Sequence, residues 1–107
     1  MKTVFSGIQP TGKVHLGNLL GAINNWVHLS NEENKNYFCV VDLHSLTTHP
    51  DPSLMQENIT ETIKVLISSG INQKNSNIYI QSNVPEHVQL SWILSNFCQI
   101  GELQRMT

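Results

Sequence analysis

Charged side chains are scarce in this sequence. Asp, Glu, Lys and Arg make up 13% of its 107 residues, about half the share that is usual in globular proteins. The net charge is −2, which predicts no general basic surface for nucleic acid, although a local basic patch is compatible with it. The length suffices for one modest domain, which buries roughly 60–68% of the surface of its extended chain.

Cysteine and long apolar runs are also scarce. Cys39 and Cys98 lie far apart without C-x-x-C spacing, which favours two buried thiols in a reducing compartment over a disulfide. The apolar run after Lys2 ends at Ser6, too early for the core of a signal peptide. No window approaches the roughly 18 apolar residues of a membrane span. The sequence therefore predicts a cytoplasmic protein without a membrane segment.

Strand-like and helix-like segments alternate along the chain. Apolar runs predict strands over residues 3–7, 37–42 and 77–81, and the middle run suits a strand covered on both faces. A helical pattern follows each strand. This β-α-β-α-β-α order predicts an α/β fold with a parallel sheet and right-handed crossovers. Because three strands leave an exposed sheet edge, the chain is expected to be the N-terminal part of a longer protein.

The predicted helices differ in how clearly their ends and buried faces are marked. The first begins near Gly17. The second has Asp51 as N-cap, Pro52 at its first position and Gly70 at its C-terminal cap. Its predicted buried stripe consists of Met55, Ile59, Ile63, Leu66 and Ile67. The third begins near Pro85 and is apolar over a wide arc, which predicts core, with a subunit contact as the alternative. The apolar residues of this third helix are Val88, Trp92, Ile93, Leu94, Phe97 and Cys98.

A loop after the first strand resembles a phosphate-binding P-loop only in part. Residues 7–13 fit G-x-x-x-x-G-K, but Val14 occupies the position where a P-loop uses a Ser or Thr hydroxyl to hold Mg²⁺. Pro10 also removes one backbone amide from the loop. A dinucleotide motif G-x-G-x-x-G is absent as well. These differences argue against a P-loop.

The next four residues, H-L-G-N, stand at the predicted start of the first helix. A helix N-terminus favours an anion through its free amides and its dipole. Gly17 leaves room for a nucleotide against the backbone, and His15 and Asn18 supply side-chain donors beside it. The alternative is that Gly17 only serves helix packing and that His15 is an ordinary surface residue.

H-L-G-N resembles the HIGH signature of class I aminoacyl-tRNA synthetases. The longer string FSGIQPTGKVHLGNLLGAI resembles the N-terminus of the tryptophanyl-tRNA synthetase family, and YFCVVDLHSLT, IYIQSNVPEH and IGELQRMT continue the resemblance. It covers essentially the whole chain. The resemblance implies that residues 1–107 are the N-terminal portion of a Rossmann-like, nucleotide-binding catalytic domain. The rest of that domain and the anticodon-binding domain are not encoded in these residues.

This resemblance implies ATP-dependent activation of L-tryptophan, with Mg²⁺ as the counter-ion of ATP, and transfer to tRNA(Trp) by a homodimer. His15 and Asn18 would be catalytic, although Asn18 replaces the final His of the signature and adds no charge. The implied ATP-binding residues are Gln9, Pro10, Thr11, Gly17 and Asn18. The implied tryptophan-binding residues are Phe5, Gly7, Gln9 and His44, with ordinary core as the alternative for Phe5.

Three alternatives stay open at this stage. They are a tyrosine-specific synthetase of the same subclass, a related nucleotidyltransferase, and a fragment without catalytic activity. The lysine-rich KMSKS loop that grips ATP in this class does not occur in these residues. The 107-residue chain alone is therefore expected to be a very poor catalyst. A protein-bound metal is not expected, because His44 and His49 with Cys39 lack a convincing further ligand.

Overall fold

Three parallel strands alternate with helices in the computed structural model, which describes residues 2–12 and 19–106. The strands are β1 (Lys2–Ile8), β2 (Asn34–Val40) and β3 (Ser76–Ile80). A π-helical turn (Leu19–Ile23) leads directly into helix α1 (Asn24–Asn31). The remaining helices are α2 (Asp42–Ser45), α3 (Pro52–Ser68), α4 (Pro85–Ser95) and α5 (Ile100–Leu103). Short 3₁₀ turns cover Leu46–Thr48, Gln81–Asn83 and Gln104–Met106.

The predicted parallel sheet is confirmed, with β2 between β1 and β3. Strand β2 begins at Asn34, three residues before its predicted start. The first residues of β2 are polar, so the search for apolar runs did not include them in the predicted strand. Asn34 and Asn36 are nevertheless buried. The Asn36 side-chain amide donates to the backbone carbonyl of Asn75 at 3.0 Å. Such a bond offsets the cost of burying the NH₂ group, whereas Oδ1 of the same amide is buried without a hydrogen-bond partner among the described residues.

Helices α1 and α3 pack on the same face of the sheet. Trp26 of α1 stacks on Phe38 of β2 with ring centroids 4.5 Å apart, and Leu66 of α3 is fully buried in the same cluster. Two crossovers of the same hand that step in one direction across a sheet place both helices on one face. The opposite face carries the odd-numbered strand residues, including Phe5 and Tyr37. We call it the uncovered face because neither of these two helices packs on it. The start of α4 reaches its β3 side, where His87 lies edge-on to Tyr79 with ring centroids 6.1 Å apart.

The predicted ends of α3 are confirmed. The Asp51 carboxylate accepts a hydrogen bond from the Ser53 backbone N–H at 2.9 Å, and Gly70 beyond the helix has φ +92°, where glycine is favoured. The predicted buried stripe is wrong at Ile67, which is 49% exposed. Ile67 follows the fully buried Leu66, and one residue turns a helix by about 100°, which carries Ile67 out of the stripe.

The prediction that α4 and the residues after it belong to the core is wrong. Trp92 is 72% exposed and Phe97 is 79% exposed. Cys98 is exposed as well, so that only Cys39 of the two cysteines is a buried thiol, and both are free. The apolar residues surround α4 instead of forming one stripe, which is typical of a helix covered on several sides. Among the described residues, no helix is both long and apolar enough to cross a membrane.

Candidate active site

The candidate site lies at the carboxyl edge of the sheet, where the three strands end. Ligands of open α/β sheets bind beyond this edge because the loops that leave parallel strands meet there. The loop after β1 contributes residues 9–12, β2 leads through Val41 into α2, and β3 leads into the turn Gln81–Asn83. The Val41 N–H donates to the Ile8 carbonyl at 2.9 Å, which extends the pairing of β1 and β2 to this edge.

The loop after β1 is held by its backbone and by one buried ring. Pro10 is fully buried, the Thr11 N–H donates to the Gln9 carbonyl at 3.0 Å, and Gly12 has φ +98°. A cleft of about 290 Å³ lies beside this loop. It is lined by Pro10, Thr11, Ser45, Thr48, Pro50, Asp51 and Asn58. The predicted nucleotide-binding residues Gln9, Pro10 and Thr11 therefore form one ordered turn at the sheet edge.

The H-L-G-N segment lies outside the described residues. This applies to His15, Gly17 and Asn18, and their predicted roles stay predictions. The helix expected to follow them is described from Leu19 onward and contains a π-helical turn before its regular part begins at Asn24. A π-helical turn is a rare irregularity that occurs frequently at functional sites.

Phe5 and Gly7 lie on the uncovered face of the sheet, close to its carboxyl edge. Phe5 is 66% exposed, so the alternative that it belongs to the core is wrong. Gly7 pairs in register with Cys39 of β2. A Cβ atom on Gly7 would lie 2.9 Å from Cγ1 of Val41, closer than real Cβ atoms approach a neighbour. The absence of a side chain at residue 7 thus leaves room for Val41 at this edge of the sheet.

His44 lies on the four-residue helix α2 that follows β2, and its side chain is exposed. Two hydrogen bonds join this helix to the turn after β3. The His44 N–H donates to Oε1 of Gln81 at 3.1 Å, and Oδ1 of Asp42 accepts from the Ser82 N–H at 3.0 Å. Sequence reasoning missed Asp42 and Gln81. The available signal was that each is the polar last residue of a predicted strand.

Cys39 and Tyr79 form a hydrogen-bonded pair on the same uncovered face, across the register of β2 and β3. Burial raises the pKa of the Cys39 thiol, partly offset by the bond to Tyr79. Burial and this bond also raise the pKa of Tyr79 to about 12. Both groups are therefore neutral near pH 7, which makes Cys39 a poor nucleophile. The described residues contain no group of three or more His, Cys, Asp or Glu that could hold a metal ion.

Comparison with known proteins assigns this chain to one protein family. The family described as tRNA synthetases class I (W and Y) matches residues 1–107. The resemblance found in the sequence is thereby confirmed, and the chain belongs to this family. Its uncovered sheet face and ordered loop after β1 are thus parts of a class I synthetase fold.

Individual relatives point to the tryptophan branch of the family. The tryptophan–tRNA ligase of Helicobacter pylori is 49% identical over 99% of this chain. A crystal structure of tryptophanyl-tRNA synthetase from Mycoplasma pneumoniae covers the whole chain with a TM-score of 0.88 and 34% identity. The Campylobacter jejuni enzyme, complexed with ADP and tryptophan, covers 98% of the chain with a TM-score of 0.85 and 32% identity. In each comparison the chain spans 32% of the relative's length.

A tyrosine-specific structure is less similar. Tyrosyl-tRNA synthetase from Archaeoglobus fulgidus, complexed with L-tyrosine, covers 97% of the chain and 33% of its own length, with a TM-score of 0.77 and 17% identity. At this identity the likeness concerns the fold alone.

Proposed function

We propose that the whole protein carrying this chain activates L-tryptophan with ATP and transfers the tryptophanyl group to tRNA(Trp) for translation in the cytoplasm. The observation that carries the proposal is the 49% identity to a tryptophan–tRNA ligase over 99% of the chain. A tyrosine-specific synthetase is the second candidate, and the 17% identity to such an enzyme makes it the weaker one. Residues 1–107 would be the first part of the Rossmann-like catalytic domain.

The first step is an in-line displacement at phosphorus. A carboxylate oxygen of tryptophan forms a bond to the α-phosphorus of ATP while the bond to the bridging oxygen breaks, giving tryptophanyl-adenylate and pyrophosphate. The nucleophile is already ionised, so the site needs no general base to create it. What the site must supply is alignment of the two substrates and stabilisation of the charge that shifts onto the phosphates.

ATP would bind to the loop after β1 and to the start of the helix that follows. The proposed contacts are Gln9, Pro10, Thr11, Gly17 and Asn18, with His15 and Asn18 as donors to the phosphates. The buried Pro10 and the left-handed backbone of Gly12 support the proposal because they fix the loop at the sheet edge. Mg²⁺ would enter as the counter-ion of ATP. Gly17→Val should weaken ATP binding strongly while circular dichroism stays unchanged, and unaltered ATP affinity would mean that the nucleotide lies elsewhere.

Tryptophan would bind on the uncovered sheet face beside the loop. Phe5 offers an exposed aromatic ring on this face, Gly7 lies beside it without a side chain of its own, and Gln9 begins the loop. His44 follows the neighbouring strand at the same edge. An indole ring is large and apolar, and aromatic side chains suit it through stacking or edge-to-face contact.

The second copy of a homodimer would cover α4 and α5. Exposed apolar side chains concentrate here: Val88, Leu90, Trp92, Ile93, Leu94, Phe97, Ile100 and Leu103. Exposed apolar side chains that cluster on neighbouring helices mark interaction sites. In sedimentation equilibrium of the whole protein, Trp92→Glu should shift the protein toward monomer. Leu54→Glu, at an apolar residue of α3 that is 48% exposed, should leave the dimer intact. An unaffected dimer in the Trp92 variant would reject this interface.

Pyrophosphate–ATP exchange by the whole protein tests the reaction and its substrate together. Exchange is measured with tryptophan, with tyrosine and without an amino acid. Dependence on tryptophan is the expected result. Dependence on tyrosine alone would retain the reaction and reject the substrate, and the absence of exchange with both would reject the proposed function.

A further inference from the structure

Helix α2 carries His44 but lacks the cap that a helix start normally has. A residue at the N-cap usually accepts a hydrogen bond from an amide of the first turn through its side-chain oxygen. The N-cap of α2 is Val41, which has no such oxygen and makes no side-chain cap bond. The amide of His44 in this first turn therefore needs an acceptor from elsewhere.

Gln81 supplies this acceptor from the turn after β3. Its Oε1 atom accepts from the His44 N–H at 3.1 Å, between residues 37 apart in the sequence. A second bond runs in the opposite direction, from the Ser82 N–H to Oδ1 of the buried Asp42 at 3.0 Å. We call this pair of bonds the strand-end clamp. It ties the residues after β2 to those after β3.

We infer that Gln81 is a positioning residue for tryptophan binding, acting through His44. The inference rests on the proposed function, which puts His44 in the tryptophan pocket. A helix of four residues has too few internal hydrogen bonds to be stable by itself. Within α2 and the turn after it, local bonds involve the Ser45 hydroxyl with the Asp42 carbonyl and the Thr47 hydroxyl with the His44 carbonyl. These bonds stabilise the turn itself. Of the contacts named here, only the strand-end clamp joins α2 to the residues after β3.

Gln81 is the better residue to change in the strand-end clamp. Asp42 is 8% exposed and its carboxylate would leave a buried gap if it were removed, so that a variant there would disturb folding in general. Gln81 is half-buried at the sheet edge, and methionine has similar length without an acceptor oxygen. Glutamate keeps an acceptor, and a negative charge beside a helix N-terminus is favourable.

The test uses pyrophosphate–ATP exchange by the whole protein, with KM measured for each substrate. Losing one hydrogen bond of this kind corresponds to a change of about two- to tenfold. Gln81→Met should therefore raise the KM for tryptophan about two- to tenfold and leave the KM for ATP unchanged. Gln81→Glu should restore the KM for tryptophan. Gln73→Met, at an exposed glutamine before β3, is the matched control and should change neither value.

The variant His44→Ala separates the positioning role of Gln81 from the proposal that His44 lies in the tryptophan pocket. If it raises the KM for tryptophan and Gln81→Met does not, the positioning role of Gln81 is wrong while the proposed pocket stands. If Gln81→Met raises the KM values of both substrates equally, Gln81 has a general structural role and the inference is also wrong. If His44→Ala changes neither KM, the proposed place of His44 is wrong and the inference fails with it. Exchange that does not depend on tryptophan in the unaltered protein would instead reject the proposed function.

Discussion

Adding one methyl group at Gly7 should disturb both stability and tryptophan binding. In Gly7→Ala the new Cβ atom would lie 2.9 Å from Cγ1 of Val41, 3.7 Å from its Cγ2 and 3.6 Å from the Cys39 carbonyl oxygen. Carbon atoms attract each other best at about 3.5–4.0 Å. Both Val41 methyl groups stand close to the new atom, and the χ1 angle of valine is stiff. Val41 cannot easily turn both away, so the backbone or the whole side chain must move.

The expected loss of stability follows from overpacking. Extra methyl groups in well-packed sites cost about 1–3 kcal/mol, and half-buried Val41 has some freedom to move, which places the expected value near the lower end. Because Val41 directly precedes α2, its movement should also displace His44. We therefore expect Gly7→Ala to raise the KM for tryptophan while the KM for ATP changes less.

Denaturant unfolding and pyrophosphate exchange of the whole protein measure these effects. Gly21→Ala is the control, because among the described residues nothing outside its own helix lies within 4 Å of a Cβ at that position. The double variant Gly7→Ala with Val41→Ala removes the clashing methyl groups and should be more stable than the sum of the two single changes predicts. A Gly7→Ala protein as stable as the control, or a loss that Val41→Ala does not relieve, would refute the reasoning.

Three further predictions concern stability and reactivity. Leu66→Ala should lower the free energy of unfolding by about 2–5 kcal/mol, because Leu66 is fully buried. Ile67 is the next residue and is 49% exposed. In the same denaturant titration, Ile67→Ala should therefore lower the free energy of unfolding by less than half as much. Asp51→Ala should lower the midpoint of thermal unfolding, and Asp51→Ser should restore most of it. Hydrogen bonds from Ser53 hold the pKa of the Asp51 carboxyl below its ordinary value of 3.8. The stability that Asp51 contributes should therefore be complete above pH 3.8 and disappear as the pH falls through the lowered pKa. An effect of Asp51→Ala on stability that is equal at pH 7 and at pH 2 would contradict this prediction. Alkylation by iodoacetamide at pH 8, followed by peptide mass spectrometry, should modify Cys39 much more slowly than a cysteine peptide, because burial raises its thiol pKa; equal rates would contradict the buried environment.

The sequence predicted best what short-range chemistry determines. Asp51, Pro52 and Gly70 mark the ends of α3 because capping depends on residues within a few positions of each other. The apolar runs predicted three strands for the same reason. The family resemblance of the opening residues and of later strings was confirmed across the whole chain.

Burial was predicted less well, because it depends on what covers a residue. The apolar composition of α4 indicates a covered helix, yet Trp92 and Phe97 are exposed among the described residues. The error at the start of β2 has the opposite cause. Asn36 is polar but buried, since its amide finds backbone carbonyl partners that no local pattern reveals. Hydrophobicity alone therefore misjudges residues whose environment is set by distant parts of the chain.

The strand-end clamp could have been predicted only with the register of the sheet. Val40 pairs with Ile80, and two residues further along each chain this register brings Asp42 next to Ser82, where the observed bond lies. A shift of β3 by one residue against β2 would turn Ile78 away from the core and separate the partners of the bond. The apolar residues that bury one face of the sheet thus also determine which polar residues meet at its edge. In this protein the packing of Phe38 against Trp26 on the covered face contributes to fixing where His44 lies.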